Sequence, residues 1–130
     1  MQRFFGLEVP FLDLLGVQSK VWEKGHTTLA LEPRPALTNH FGDVHGGVVS
    51  TLLDIAMSSA ARSLYPDAAG VVTVDMSLQF MRSASGTLHA EGRVVQAGKT
   101  TAFCEAELRD ATGERVAKAI GTFKVRVAQR

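Results

Sequence analysis

One segment constrains everything around it. Between Gly46 and Leu64, with Pro66 closing the run, Val48, Val49, Leu52, Leu53, Ile55, Ala56, Met57, Ala60 and Leu64 recur at helical spacing and cover most of a helix circumference. Ser50, Thr51, Asp54, Ser58 and Arg62 gather on one narrow stripe. A helix apolar on nearly every side must be surrounded. It is the only long helix candidate in 130 residues, so the rest of the chain has to supply the surround.

The remainder reads as strands. Val17 to Glu23 and Thr27 to Leu31 flank Lys24, Gly25 and His26, a short Gly-containing hairpin link. Four further runs, Val71 to Phe80, Thr87 to Gln96, Thr101 to Asp110 and Arg115 to Val127, alternate with period two between Gly-bearing turns. The clearest alternation sets Val72, Val74, Met76, Leu78 and Phe80 on one face and Thr73, Asp75, Ser77 and Gln79 on the other. In the last two runs the apolar face is small, with Ala102, Cys104, Ala106, Ala117, Ala119 and Gly121, which lets a sheet curve closely around a helix. The piece before Gly16 reads as a short helix ended by that glycine. The order predicts a single α+β domain over 1–130, one curved antiparallel sheet wrapped around one long central helix. Trp22, Val95 and Phe103 fall on positions that can face outward, and an apolar outer face predicts a homo-oligomer.

Composition narrows the partners. Hydrophobic residues make up 45% and charged residues 21%, which excludes disorder and coiled coil. A formal charge of +1 lacks the basic footprint of nucleic-acid binding. A lone cysteine, Cys104, permits neither an intrachain disulfide nor a Cys-rich zinc site, and a reducing compartment fits it. Glu8, Pro10 and Asp13 interrupt the apolar residues of the first fifteen positions, and no run of about eighteen apolar residues occurs, so a cytoplasmic location without membrane contact is expected. His26, His40 and His89 have no metal-ligand spacing, and no Gly-x-Ser-x-Gly elbow appears.

Chemistry concentrates in Asn39 to Gly47, with Asp54 further on. The loop turns into a helix at Gly46 and Gly47, where unpaired N–H groups and the positive end of the helix dipole face a ligand that no Cβ obstructs. Such donors suit a developing oxyanion; tight packing is the plainer use of the Gly pair. Asp54, the single acid of the helix, suits a nucleophile or general base, or else a solvated position on a polar stripe. Eight residues separate Gly46 from Asp54, about 12 Å along one helix axis, too far for both to touch one carbonyl. Either they are unrelated, or a symmetric dimer brings Gly46 of one chain to Asp54 of another.

The pattern Asn39-x5-His45-Gly46-Gly47-x6-Asp54, followed by Val74-Asp75-Met76 and Phe80-Met81-Arg82, resembles the hotdog-fold acyl-CoA thioesterases, specifically the phenylacetate-pathway branch. The resemblance spans nearly the whole chain. It implies a hotdog fold, a homodimer or homotetramer, and hydrolysis of a small or aryl acyl-CoA without metal or resident cofactor, coenzyme A being part of the substrate. By resemblance Asp54 is nucleophile or general base and Gly46 donates its N–H to the thioester carbonyl. Asn39 orients water or the carboxylate, His45 lies near the sulfur, and Thr73 helps place the water. Gly47, Arg82 and Lys99 are the implied coenzyme A contacts, with Arg62 a further candidate. Each has a plainer reading: a turn-stabilising Asn39, a loop His45, a β-branched strand Thr73, and solvated surface cations. Rivals on this pattern are an acyl-thioester hydratase or dehydratase and a non-catalytic acyl-CoA binding module. Met57, Ala61, Leu64 and Phe80 are expected to set the depth of the acyl pocket.

Overall fold

The computed structural model describes residues 3–127. A two-stranded hairpin, β1 (Arg3–Phe4) and β2 (Leu7–Glu8), precedes a short helix α1 (Pro10–Leu15). The expected N-terminal helix is therefore only its second half. The chain turns at Phe5 and Gly6, both with positive φ, before Pro10 opens the helix at its first turn. Gly16 closes α1 in the left-handed region at φ 81°, and Arg34 donates to the carbonyls of Leu14 and Leu15 at 2.6 and 3.0 Å.

One six-stranded antiparallel sheet follows, built from β3 (Gln18–Glu23), β4 (His26–Leu31), β5 (Gly70–Phe80), β6 (Leu88–Ala97), β7 (Thr101–Arg109) and β8 (Arg115–Arg126). Its order is β3-β4-β6-β7-β8-β5, which leaves β3 and β5 at the edges. The long helix α2 (Gly46–Arg62) crosses the concave face. Leu52, Leu53, Ala56, Met57, Ala60 and Ala61 are fully buried there, and burying each large apolar side chain contributes about 2 kcal/mol. The small residues of β7 and β8 do face the helix: Ala102, Cys104, Ala106, Ala117 and Ala119 are buried. Gly92 on β6 marks the closest approach, since a Cβ there would lie 2.2 Å from the Ala56 carbonyl oxygen. Thr27 also donates to that oxygen at 2.7 Å, pinning helix to sheet.

The predicted alternation of β5 breaks at one residue. Thr73 pairs with Phe123 and Asp75 with Thr122, so Val74 is left over as a β-bulge. Beyond it Met76 pairs with Gly121 on the helix side. Before it Val72 pairs with exposed Lys124 on the outer side. Thr73 therefore shares the helix-facing side with Met76, Leu78 and Phe80, contrary to the strict period-two reading. The extra residue reverses the phase of everything N-terminal to it.

On the outer face Phe103 and Val95 are exposed, as the pattern predicts. Trp22 is not simply outward. Its ring stacks on Phe5 at 5.7 Å, its indole N–H donates to Ser59 O at 2.9 Å, and the Arg62 guanidinium lies 4.5 Å above it. His26 bonds Glu91 through Nε2 at 2.7 Å and is structural. Cys104 sits in the core, where desolvation pushes its thiol up to about 12.

Candidate active site

His45 starts α2. Its backbone is extended, its own N–H is bonded to Leu37 O at 2.8 Å, and its Nδ1 accepts the Gly47 N–H at 2.8 Å. His45 is thus an N-cap. A ring accepting at Nδ1 carries its proton on Nε2, which leaves one outward donor. The capping bond occupies the Gly47 N–H, so the main-chain donor assigned to coenzyme A at that position is already taken.

Gly46 differs. As first residue of the helix it has no intrahelical acceptor, and its N–H meets no acceptor among the described residues. It opens into a recess of about 320 Å³ shared with Asn39, Asp43, Phe80, Met81 and Arg82. The sequence pattern does not single out Asp43. Its position is set by Asn39, whose Oδ1 accepts the N–H groups of Phe41 and Asp43 at 2.9 and 3.2 Å and folds the loop into place. Asn39 O also accepts from Gly42 N, and Asn39 N donates to Asp43 O. The plainer reading of Asn39 thus accounts for its oxygen, and the residue lines the recess.

On the helix stripe four of five polar residues are committed to backbone carbonyls. Ser50 and Thr51 each donate to the carbonyl four residues back at 2.8 Å, Ser58 donates to Ile55 O at 3.3 Å, and Arg62 donates to Phe5 O at 2.8 Å. Asp54 alone is hydrogen-bonded to a side chain of the sheet. Thr73 Oγ1 donates to Asp54 Oδ1 at 2.7 Å, a contact that the Val74 bulge makes possible. Burial raises the Asp54 carboxyl above its ordinary value, and the Thr73 hydrogen bond partly opposes the rise. The result is a carboxylate more basic than a solvated one, fixed by one oxygen and open at the other.

Within one chain Asp54 does not line the Gly46 recess. Thr73 belongs to edge strand β5 and brings Asp54 beside it, and β5 has no neighbouring strand on its outer side among the described residues. Arg82 lines the recess and forms an ion pair with Glu114. Lys99 is exposed between β6 and β7, and no contact brings it to Gly46 or Asp54. Arg62 is held under Phe5 and over Trp22, away from a phosphate role. Met57 and Ala61 are wholly buried in the core, and Leu64 instead edges a hollow with Trp22. The expected depth-setting group thus reduces to Phe80, because helix residues that close the core cannot also face a ligand. Among the described residues no cluster of three His, Cys, Asp or Glu side chains could hold a metal ion.

A curved six-stranded antiparallel sheet wrapped around one long helix is the hotdog fold. Residues 41–117 match the Thioesterase superfamily, and the chain belongs to that superfamily. It is 38% identical over 125 residues, 88% of this chain and 83% of the relative, to a Halobacterium salinarum protein provisionally named an esterase. It is 29% identical over 102 residues, 77% of this chain and 82% of the relative, to a 1,4-dihydroxy-2-naphthoyl-CoA hydrolase of Listeria monocytogenes. Among solved structures, a thioesterase family protein from Silicibacter pomeroyi superposes with a TM-score of 0.87 at 30% identity, covering 92% of this chain and 91% of its own.

Proposed function

We propose that the protein hydrolyses a small or aryl acyl-CoA thioester to the free acid and coenzyme A, as a homodimer or homotetramer in the cytoplasm. The observation that carries this reading is Asp54: the single stripe residue not committed to a backbone carbonyl, half-buried, with its carboxylate held by Thr73. The naphthoyl-CoA hydrolase relative supports an aromatic acyl group, and the Asn39-to-Asp54 motif is the support for the phenylacetate-pathway branch.

In the mechanism the thioester carbonyl oxygen accepts the Gly46 N–H, and negative charge developing on it is met by a preorganised donor at the positive end of α2. Asp54 of the neighbouring subunit takes a proton from water as the water attacks the carbonyl carbon, or attacks that carbon itself to form an anhydride that water then opens. Both routes break the carbon–sulfur bond and release the thiolate of coenzyme A, which takes up a proton. The resemblance assigns the departing sulfur to His45 Nε2–H, which stands at the same helix start but lines a separate hollow with Phe11 and Leu14 rather than the Gly46 recess. The Asn39 amide N–H₂ orients the water or the carboxylate. Arg82 meets phosphate on exchanging its Glu114 partner, whereas Lys99 stands at the opposite end of the sheet, beside the end of β8, and supplies no charge to Arg82 within one chain.

Two substitutions test this. Asp54→Asn keeps the shape and removes the base; kcat for thiol release is expected to fall at least about a hundredfold. Gly46→Pro deletes the N–H itself while suiting a first helical position, and the preceding His45 already has the extended backbone (φ −61°, ψ 138°) that a following proline demands. Its kcat is expected to fall by about 10²- to 10³-fold with helix content unchanged. Wild-type rates in either variant would overturn the assignments.

A further inference from the structure

We infer that Phe80 selects flat, aromatic acyl groups, an inference that rests on the proposed thioesterase reading and adds the residue that reads the acyl moiety. Phe80 ends β5, and its side chain is 56% exposed although it lies on the helix-facing side of the strand. It is exposed because it leans over the start of α2 rather than into the core. A Cβ placed on Gly46 would lie 3.7 and 3.9 Å from the Phe80 ring atoms Cε1 and Cζ. The ring therefore faces Gly46, the proposed oxyanion donor, across about the width of one methyl group. Anything bonded to a carbonyl held there lies beside the ring.

The recess has apolar side chains at its base. Val44, Val49, Ala84 and Val116 line it, and all four are buried. A recess of about 320 Å³ has room for an aryl group beside the carbonyl held on Gly46. An aryl group conjugated to the carbonyl is coplanar with it, so docking the carbonyl on Gly46 also fixes the plane of the aryl ring next to Phe80. Two rings so placed gain an offset-stacked or edge-to-face contact that an alkyl chain cannot make. Phe80 is a specificity residue: it touches substrate but moves no proton.

The test compares benzoyl-CoA with hexanoyl-CoA on wild type, Phe80→Leu and Phe80→Tyr. Leucine keeps apolar bulk and removes the ring. The expected result is a fall of about tenfold in the benzoyl-to-hexanoyl ratio of kcat/KM in Phe80→Leu, with the ratio retained in Phe80→Tyr. An unchanged ratio, or an equal loss on both substrates, overturns the inference while leaving the hydrolase reading intact. A wild type inert toward both substrates overturns the hydrolase reading and this inference with it. Because the side chain is half exposed, folding of the leucine variant is checked by its thermal midpoint, expected to be unchanged.

Discussion

At the scale of single residues, the hydrogen bond between Thr73 and Asp54 sets how basic the carboxylate is. Two influences act on it in opposite directions: burial raises its affinity for a proton and the Thr73 hydroxyl lowers it, with burial the larger. Removing the hydroxyl leaves only the raising influence. In Thr73→Val the acid limb of the pH profile of kcat/KM is therefore expected to move to higher pH, because activity needs the ionised carboxylate and protonation now sets in sooner on acidification. A limb that stays in place would detach Thr73 from Asp54. The acid, its glycine partner and the His45 cap stand at readable spacings in the sequence. The partner hydroxyl does not, because strict alternation turns Thr73 away from the helix and a bulge leaves no compositional mark at Val74.

Elements were legible where their periodicity was strong. The bounds of α2 and of the six sheet strands follow from apolar spacing and Gly or Pro punctuation to within a few residues. The β1–β2 hairpin was missed because two-residue strands have no period to detect. Helix and sheet meet most tightly at Gly92, where α2 presents a backbone oxygen that cannot yield as a side chain would. Gly92→Ala is expected to destabilise the fold by about 1–3 kcal/mol, read as a thermal midpoint lowered by several degrees. A midpoint equal to wild type would mean that the helix shifts at little cost. Contact at Gly46 is looser, with only the Phe80 ring in ordinary range, so shape alone does not demand glycine there.

At the scale of the whole molecule, the two halves of the chemistry stand apart in one chain: Gly46 opens into a recess that Asp54 does not line, and β5 is an unpaired edge beside Asp54. A site shared between subunits makes a distinctive prediction. Mixing Asp54→Asn chains with Gly46→Pro chains should restore thiol release that neither shows alone, because each mixed dimer holds one intact pairing. Activity that stays absent after subunit exchange would place both groups in one chain. The sequence could raise this only as a distance argument, since which surfaces meet depends on edges and recesses that exist only once the sheet has curved.

One consequence concerns the core sulfur. Cys104 lies in the wall between sheet and helix with its thiol pushed up to about 12, so at neutral pH the folded protein offers almost no thiolate to disulfide or alkylating reagents. A chromogenic disulfide added during turnover would then react with liberated coenzyme A alone, and a slow second colour phase from the protein would report the opening of the barrel-like wrap itself.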